Sequence, residues 1–458
     1  MKQLFDLAII GSGPAGLSAA IKANHFNINT ILIDEQFSVG GQVFRSFKKK
    51  FPLNKILYSN HIIANQLINE FEQSNVHYLS HSEVIEIEKN GTICYQKKNN
   101  LHSIQAKNII IAAGSIERPF PIEGWTLPGV MTVGAAQILM KSSGLIAKEP
   151  VVFAGTGPLL YLTAYQYIKL GGKISIILDT TPVKNYLKAI QFIISAIFSA
   201  IFSGNYIFQG LKYLFYLRKK GIKIVFNVES LKALGQKEIN RVEFDKKNIL
   251  QSINTKHLFL HQGVIPNIQL TLSLRCNHFW DKNQLCWRPT LDENYETSVN
   301  NIFSIGDSSG IVGAHASQLQ GELVITKIAK NLDIINNKLE IKNNKKIISN
   351  LKKDLRIRPF LEKLYEPSKT FLIPNNKKTI ICRCEEVTLE QIIEIINFVK
   401  NDCNELKSFV RCGMGPCQGR MCGSTISQIL SKYKNIEINK IQQFRIVAPI
   451  KPVRLNQY

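Results

Sequence analysis

The stretch that decides the fold is LAIIGSGPAGLSAAI, residues 7–21. A short apolar run enters a glycine-rich turn, and the turn leads into a helix start, as in the strand–turn–helix unit of dinucleotide-binding domains. Gly11 permits the tight turn, Gly13 lets backbone N–H groups approach a pyrophosphate, and Gly16 lets the helix pack closely on the strand. Pro14 suits a first helical position, where its missing N–H is no loss. The helix N-terminus then offers unpaired amides to the phosphates.

The next apolar run ends in two carboxylates, because residues 30–35 read TILIDE. Either acid could accept the ribose hydroxyls of a dinucleotide, and Asp34 is favoured over Glu35 because it directly follows the apolar run. Beyond the acids, Gly41 and Gln42 belong to a Gly-Gly-Gln turn. This turn indicates a loop held close to a ligand, with an ordinary turn as the alternative.

Composition limits the class of protein. The chain has 458 residues, a net charge of +23 and 45% hydrophobic residues, which predicts a globular protein of several domains. The lysines are spread among Asn and Ile and form no stripe with aromatic residues, which argues against nucleic-acid binding. Peripheral membrane association stays open, and the apolar stretch 189–203 is read as a buried or subunit-facing helix rather than a span. The N-terminal strand runs straight into the glycine turn, so no signal peptide is expected and the predicted location is cytoplasmic.

A second glycine turn lies in VVFAGTGPLL, residues 151–160. Gly155 and Gly157 match the first two glycines of the motif, but Leu160 stands at the third position and would hold the helix further from its strand. The strand after this helix ends at Asp179. This second Rossmann-like unit could bind a nicotinamide nucleotide, an adenine nucleotide, or nothing.

Two further segments predict flavin contacts. The run NIIIAAG, residues 108–114, ends in small residues that let the chain pass close to a cofactor. The run IFSIGD, residues 302–307, precedes a glycine-rich turn into a helix. Asp307 could accept a hydrogen bond from a ribityl hydroxyl, and the helix N-terminus could face an isoalloxazine ring. His315 in that turn could line the flavin, or could be an ordinary turn histidine.

These motifs together resemble the two-dinucleotide-domain flavoproteins of the glutathione- and thioredoxin-reductase type, over roughly residues 1–330. The resemblance implies FAD bound by the first and third segments, with a second domain inserted between them. The FAD-binding residues expected on this basis are Gly11, Gly13, Pro14, Ala15, Gly16, Asp34, Glu35, Gly41, Gln42, Ala113, Gly114, Gly306, Asp307 and Gly313. One departure is a missing redox cysteine pair, since Cys94, Cys276 and Cys286 form no CxxC or CxxxxC motif. Disulfide reduction is therefore not expected.

The predicted fold class is α/β, with a split FAD domain, an inserted Rossmann-like domain and a small C-terminal helical domain. The expected divisions are FAD-binding residues 1–118 and 261–330, an inserted domain 119–260, a linker 331–375, a cysteine domain 376–432 and a tail 433–458.

The cysteine domain carries a strong ligand pattern. Nine cysteines are present, and Cys403 with five others lies in the range 382–422. Without a secretory signal, metal ligation fits better than disulfides. The runs CRCEEVT, residues 382–388, and CGMGPCQGRMCG, residues 412–423, can supply two pairs of thiolates to one cluster.

The predicted cluster ligands are Cys382, Cys384, Cys417 and Cys422, and Cys412 is a competing ligand. Iron–sulfur is favoured over zinc, because structural zinc usually takes a C-x2-4-C pair rather than C-x-C. The turn glycines leave N–H groups free to point at sulfurs, and nearby arginines can offset the charge of the cluster.

This segment resembles the bacterioferritin-associated-ferredoxin-like 2Fe-2S domain, although its second pair is C-x4-C where C-x2-C is usual. CRCEEVT and GMGPCQGRMCG, with the Gly-Gly-Gln turn and the tail PIKPV, residues 449–453, are similar to a narrower group. That group comprises the FAD- and 2Fe-2S-containing alpha-type subunits of amine and imino-acid dehydrogenases. It includes the A subunit of opine oxidase, the B subunit of hydrogen cyanide synthase, hydroxyproline or proline dehydrogenase alpha subunits and part of the sarcosine oxidase alpha subunit.

The resemblance implies an electron-transferring subunit with FAD, a 2Fe-2S cluster and a beta-type flavoprotein partner. The partner would oxidise a C–N bond, and an acceptor such as a quinone would take the electrons. No catalytic acid/base group is identified in the sequence. Two alternatives stay open: a self-contained NAD(P)H-dependent flavin oxidoreductase that uses Gly155 and Gly157, and a non-catalytic 2Fe-2S binding or sensing protein with a structural flavin.

Overall fold

The computed structural model describes residues 3–48, 54–58, 61–202, 206–334 and 338–454. Its strands are β1 Leu4–Ile10, β2 Thr30–Ile33, β3 His77–Leu79, β4 Ser82–Ile87, β5 Thr92–Lys97, β6 Asn100–Ile111, β7 Ser115–Glu117, β8 Val130–Thr132, β9 Val151–Thr156, β10 Ile174–Asp179, β11 Ile224–Val225, β12 Ser230–Gly235, β13 Ile239–Lys246, β14 Ile249–Asn254, β15 Leu258–Gln262, β16 Val264–Pro266, β17 His278–Asp281, β18 Cys286–Pro289, β19 Ile302–Ser304, β20 Ile380–Cys382 and β21 Val387–Thr388. Its helices are α1 Pro14–His25, α2 Asn54–Leu57, α3 His61–Glu72, α4 Val133–Ser143, α5 Pro158–Lys169, α6 Val183–Ile190, α7 Ile193–Phe202, α8 Tyr206–Lys219, α9 Gln269–Ser273, α10 Ala314–Asn331, α11 Lys338–Leu355, α12 Arg358–Leu364, α13 Lys369–Leu372, α14 Leu389–Ile395, α15 Cys403–Val410 and α16 Gly423–Lys434.

The chain divides into two compact units. Unit 1 contains the described residues of 1–116, 265–356 and 445–458, and unit 2 contains those of 117–264 and 357–444. The corresponding domain boundaries predicted from the sequence are 118/119 and 260/261. The inserted domain and the cysteine domain therefore belong to the same unit.

Unit 1 is built on a sheet that, in the described residues, has the order β3-β2-β1-β6-β5-β4. Strands β3, β2, β1 and β6 run parallel, while β5 pairs antiparallel with β4 and β6. The last residues of β6 pair in parallel with β19. Every residue of β2 is buried, as expected for a parallel strand covered on both faces. This arrangement brings the ends of β1, β6 and β19 to one edge of the sheet.

Unit 2 contains a parallel sheet with the described order β11-β10-β9-β15-β8 and an antiparallel sheet β12-β13-β14. The cysteine domain is attached through specific contacts. The Trp125 indole Nε1 donates to the Ile380 carbonyl at 2.8 Å, and Phe371 packs in the same apolar core as Phe120. The strand that leads to Cys382 is thus held by the inserted domain.

The segment 331–375 differs from the linker expected from sequence. It contains all of α11, α12 and α13. Ile347, Leu351 and Leu355 recur at four-residue spacing and pack against the cluster of Ala316 and Leu319. Because Asn and Lys are abundant in this stretch, the apolar stripe is hard to recognise from the sequence.

The helix start at Thr388 follows the sequence expectation. Thr388 and Gln391 form a reciprocal capping box at the N-terminus of α14. The box fixes the direction in which the chain leaves the first cysteine turn.

Candidate cofactor sites

The first glycine turn joins β1 to α1 in unit 1. Gly11 has φ +104°, and a Cβ there would lie 2.4 Å from the Ala112 carbonyl oxygen. A Cβ at Gly16 would lie 1.9 Å from the Gly11 carbonyl oxygen. Both positions therefore require glycine, so that α1 and β6 can approach the turn. The first-turn amides of α1 have no intrahelical acceptor and remain available to an anion.

The Gly-Gly-Gln turn lies against this first turn. The Gly40 N–H donates to the Ser12 carbonyl at 2.9 Å, and a Cβ at Gly41 would lie 2.7 Å from the Gly13 Cα. The Gln42 side chain is exposed and accepts a hydrogen bond from Arg45 Nη1 at 3.2 Å. Two backbone segments without side chains thus face each other beside the N-terminus of α1, as a bound pyrophosphate requires.

Asp34 closes the turn at the end of β2. Its Oδ2 accepts from the backbone N–H and the hydroxyl of Ser12, both at 2.6 Å, and its Oδ1 accepts from the Gln36 N–H at 2.7 Å. Burial raises the pKa of this carboxyl, and the hydrogen bonds oppose that rise. A carboxylate has about four acceptor positions, so capacity for a ribose hydroxyl remains.

Glu35 has a different role from Asp34. Its carboxylate forms an ion pair with Lys451, whose Nζ also lies 2.8 Å from Glu83 Oε1. Ile450 adds a backbone hydrogen bond to Ile85. The tail motif, residues 449–453, is therefore bound next to Asp34 through the ion pair of Lys451 with Glu35. The sequence motif did not predict which residues this tail contacts.

The remaining flavin segments lie in the same unit. Gly114 has φ +69°, its carbonyl accepts from the Asn267 N–H at 3.0 Å, and Ala113 precedes it. A Cβ at Gly306 would lie 2.9 Å from the Cβ of Ala15. Asp307 Oδ1 accepts from the N–H groups of Val312 and Gly313 at 2.9 and 3.0 Å.

This geometry packs the N-terminal turn of α1 against α10. A Cβ at Gly321 of α10 would lie 2.4 Å from the Ala15 carbonyl oxygen, so the two helices pack at backbone distance. Two helix N-termini, a buried ribose acid and two side-chain-free turns fit the phosphates and ribityl chain of FAD.

His315, at the start of α10, forms an ion pair with Asp354. His315 Nδ1 lies 3.3 Å from Asp354 Oδ1, and Asp354 is buried while His315 is partly exposed. Asp354 raises the pKa of the imidazole through hydrogen bonding and charge, with a smaller contribution from Glu322.

We expect Asp354→Asn to lower the pKa of His315 toward the ordinary value of about 6.5, as followed by NMR titration. Because the folded pKa is raised, the pair stabilises the fold below about pH 6.5, and this contribution is lost as pH rises through the folded pKa. The advantage in unfolding free energy over Asp354→Asn should therefore shrink as pH rises above about 6.5 and through the folded pKa of His315. Glu322→Gln is the matched control and should move the pKa less. An equal shift in both variants would contradict this assignment.

The second glycine turn, in unit 2, is closed by the chain's own side chains. Gly155 and Gly157 have φ +140° and +119°, and a Cβ at Gly157 would lie 3.1 Å from His261 Nε2. The imidazole Nδ1 of His261 lies 2.8 Å from Glu117 Oε2. Leu160 is fully buried where a third glycine would stand. The imidazole of His261 thus lies beside Gly157, and Leu160 packs in the core at the position of the third glycine.

Asp179, the acidic residue of the second Rossmann-like unit, already accepts hydrogen bonds from the protein. Asp179 is buried and accepts from the Tyr161 hydroxyl and from the Thr181 N–H, the latter at 2.7 Å. Burial raises the pKa of Asp179 despite these hydrogen bonds. Tyr161 and Thr181 therefore donate hydrogen bonds to this carboxylate, as Ser12 and Gln36 do to Asp34.

Replacing Tyr161 by Phe should destabilise unit 2 by about 1–3 kcal/mol, because a buried carboxyl loses a hydrogen-bond donor. Denaturant unfolding of the purified protein measures the loss. Tyr165→Phe on the same helix is the control, since its ring packs on Tyr213 and Tyr216, and it should change the unfolding free energy by less than about 0.5 kcal/mol. A Tyr161 variant as stable as the control would show that this hydrogen bond is unimportant.

The cysteine domain gathers three thiols at one point. The Sγ atoms of Cys382, Cys412 and Cys422 lie within 4.8 Å of one another, and all three residues are buried. Hydrogen bonds from Cys412 and Cys422 hold the pKa of Cys382 far below its usual range, while the pKa values of its two partners are raised. These hydrogen bonds favour the deprotonated form of Cys382, and bound iron would displace the protons of the thiols that ligate it.

Cys384 and Cys417 form a second pair. Their thiols share a hydrogen bond, and the Cys417 N–H donates to the Cys384 sulfur. The N–H groups of Gly413 and Glu385 donate to the Cys382 sulfur. Such N–H···S bonds stabilise thiolates and tune a cluster's potential. The structure thus groups Cys382 and Cys422 with the competing Cys412, and it pairs Cys384 with Cys417.

The residues around the cysteine turns are suited to a negatively charged cluster. Arg420 Nε is buried and has no hydrogen-bond partner among the described residues. Arg411, in contrast, pairs with Glu385 at 3.0 Å. Phe444 covers the turns, since a Cβ at Gly413 or Gly419 would lie within 2.8 Å of its ring. No local sequence signal identifies Phe444 as a cover for the cluster.

Comparisons with known proteins agree with this division. Residues 5–200 match the family model described as pyridine nucleotide-disulphide oxidoreductase, and residues 380–432 match the BFD-like 2Fe-2S binding domain. The chain is therefore an oxidoreductase of the FAD-binding two-dinucleotide-domain class that carries a 2Fe-2S cluster.

Within this class the chain belongs to the family that contains the A subunit of opine oxidase. It is 33% identical to that opine oxidase component from Rhizobium meliloti, over 99% of this chain and 87% of that protein. It is 27% identical to the HcnB component of hydrogen cyanide synthase from Pseudomonas protegens, over 90% of this chain and 89% of that protein.

Two solved structures share the fold. L-Proline dehydrogenase from P. horikoshii has a TM-score of 0.69 at 20% identity and covers 99% of this chain and 79% of that chain. T. acidophilum thioredoxin reductase has a TM-score of 0.51 at 17% identity and covers 72% of this chain and 99% of that chain. Among the described residues, no helix has the length and apolar character needed to cross a membrane.

Proposed function

We propose that this chain is the electron-transferring subunit of a heteromeric amine or imino-acid dehydrogenase. The observation that carries the proposal is the pair of cysteine turns, with their N–H···S bonds, in a chain that also holds the flavin turns. Its similarity to an opine oxidase subunit and to an L-proline dehydrogenase supports the donor class, because opines and L-proline are both amines. A beta-type flavoprotein partner would oxidise the C–N bond.

The residues of this chain then have distinct roles. When bound, FAD exchanges electrons in pairs and a 2Fe-2S cluster exchanges them singly, so the two connect a two-electron donor to an acceptor such as a quinone. Asp34 and the amides of α1 orient the adenosine diphosphate, and Asp307 orients the ribityl chain. The N–H groups of Gly413 and Glu385 stabilise negative charge on the Cys382 sulfur. The positive charge of Arg420 would offset the negative charge of the cluster.

We propose Cys382, Cys384, Cys417 and Cys422 as the cluster ligands. A 2Fe-2S cluster takes two cysteines on each iron, and the structure provides Cys384 with Cys417 and Cys382 with Cys422. Cys412 is the neighbour of the second pair.

A self-contained NAD(P)H oxidoreductase is less well supported. The second glycine turn has His261 beside Gly157, and Asp179 is bound by Tyr161. A flavin bleached by NAD(P)H alone would favour that function, and a flavin that neither a partner nor a substrate reduces would favour a sensing protein.

The test is anaerobic purification of the tagged chain from its native host, followed by mass spectrometry and absorption spectroscopy. We expect a second flavoprotein to co-purify, with flavin bands and 2Fe-2S shoulders in the spectrum. Amines and imino acids are then screened for bleaching, and the isolated chain serves as the control that should not bleach. A lone chain reduced by NAD(P)H would overturn the proposal.

A further inference from the structure

Helices α6 and α7 of unit 2 present apolar side chains to solvent. The exposed residues recur at spacings of three and four along the sequence, as one side of a helix requires. They are Val183, Leu187, Ile190, Ile194 and Ile197. Leu187 is 70% exposed and Ile194 is 68% exposed. Large apolar side chains that are exposed together on neighbouring helix turns are typical of an interaction site.

The buried side of α6 shows that this orientation is specific. Its buried residues are Asn185 and Ala189, and the Asn185 amide donates to the carbonyls of Leu364 and Glu366 at 3.2 and 2.8 Å. The polar side chain thus anchors the helix inward while the large apolar side chains point outward. This is the reverse of an ordinary surface helix.

The neighbouring helix α8 repeats the pattern. It packs against α7 and buries Tyr213 and Leu217, and the ring of Tyr213 lies 4.9 Å from that of Tyr165 in α5. Phe208, Leu211 and Phe215 are exposed at spacings of three and four residues. These three residues, with the five of α6 and α7, are called the α6–α8 surface.

The charge around the α6–α8 surface has one sign. Residues 180–228 contain no Asp or Glu. The basic residues of this segment are all exposed: Lys184, Lys188, Lys212, Arg218, Lys219, Lys220 and Lys223. Protein–protein interfaces are depleted in lysine, whereas helices that lie on membranes combine Lys and Arg with Phe, Leu and Ile. The composition therefore matches a lipid surface better than a protein partner.

We propose that the α6–α8 surface binds in the plane of an anionic lipid surface, with its apolar side chains in the acyl boundary and its lysines among the headgroups. The surface is separate from the residues of both cofactor sites. The inference therefore stands independently of the proposed dehydrogenase function.

The test is flotation of the purified, cofactor-loaded full chain with vesicles. Phosphatidylcholine vesicles are compared with vesicles that also contain phosphatidylglycerol, at low and high salt. We expect binding to the anionic vesicles, weakened by salt. The triple variant Leu187→Ser/Ile194→Ser/Phe215→Ser should lower the partition coefficient at least about tenfold. Replacing Lys184, Lys188 and Lys212 by Gln should lower it about fivefold for each charge removed.

The matched control is Ile249→Ser/Leu250→Ser, which removes two apolar residues of β14 that are similarly exposed. It should bind vesicles as the parent protein does. Flavin and cluster absorption checks that each variant is folded. Failure to bind anionic vesicles, or equal binding by the triple variant, would overturn the proposal. So would a triple variant that binds vesicles normally but loses a co-purifying protein, because the surface would then be a protein interface.

Discussion

Cys382→Ser should abolish the 2Fe-2S cluster while leaving the flavin in place. Cys382 lies in the three-thiol group and receives N–H···S bonds from Gly413 and Glu385, so its loss removes the best-stabilised thiolate of the site. The expected result is loss of the 2Fe-2S absorption and of bound iron, with FAD content unchanged. Iron analysis and visible spectroscopy on anaerobically purified protein measure both.

Cys403→Ser is the matched control. Cys403 is buried in the same domain, but its thiol lies 3.9 Å from the Ser427 hydroxyl and outside the three-thiol group. It should retain the cluster. Cys417→Ser should lose the cluster and Cys412→Ser should keep it, because only Cys417 pairs with Cys384. The reverse pattern would replace Cys417 by Cys412 in the ligand set.

Gly13→Ala should yield a folded protein that binds FAD poorly. Gly13 has φ −69° and ψ −178°, and an added Cβ would meet no protein atom closer than the Gly41 Cα at 4.0 Å. The chain itself can therefore accept alanine, whereas a pyrophosphate at this backbone cannot. One steric overlap of about 1–3 kcal/mol corresponds to a loss of about 5- to 150-fold in FAD affinity.

Titration of the apo-protein with FAD measures this loss, and circular dichroism reports the fold. Gly210→Ala on α8 is the control, since an added Cβ there would have open space, and FAD affinity should not change. Gly16→Ala provides the opposite reference. Its Cβ would lie 1.9 Å from the Gly11 carbonyl oxygen, so misfolding is expected. Normal FAD affinity in Gly13→Ala would remove this turn from the cofactor site.

Local chemistry explains what the sequence could predict. The turn after β1 needs glycine at Gly11 and Gly16 for steric reasons that the short strand–turn–helix pattern already indicates. The capping box of Thr388 and Gln391 is likewise a four-residue signal. The cysteine spacing identified the domain that carries the cluster.

Contacts between distant residues explain what the sequence could not predict. Phe444 covers the cysteine turns, and Tyr161 binds Asp179, through packing that no short pattern encodes. The five-residue spacing indicated Cys412 as a competing ligand, but its grouping with Cys382 and Cys422 depends on residues 30 or more positions apart. The composition of 331–375 resembles a linker, yet apolar residues at four-residue spacing in α11 pack against the start of α10.

The segment 444–451 contributes one residue to each of the two cofactor sites. Phe444 covers the cysteine turns of unit 2, and Lys451 fastens to Glu35 beside the ribose acid of unit 1. On the ribosome, both residues emerge after every turn that they cover. A nascent chain therefore exposes its cysteines and its flavin turn while they are still uncovered, and cofactor loading can precede closure. The order of synthesis thereby gives the maturation machinery an interval in which to act.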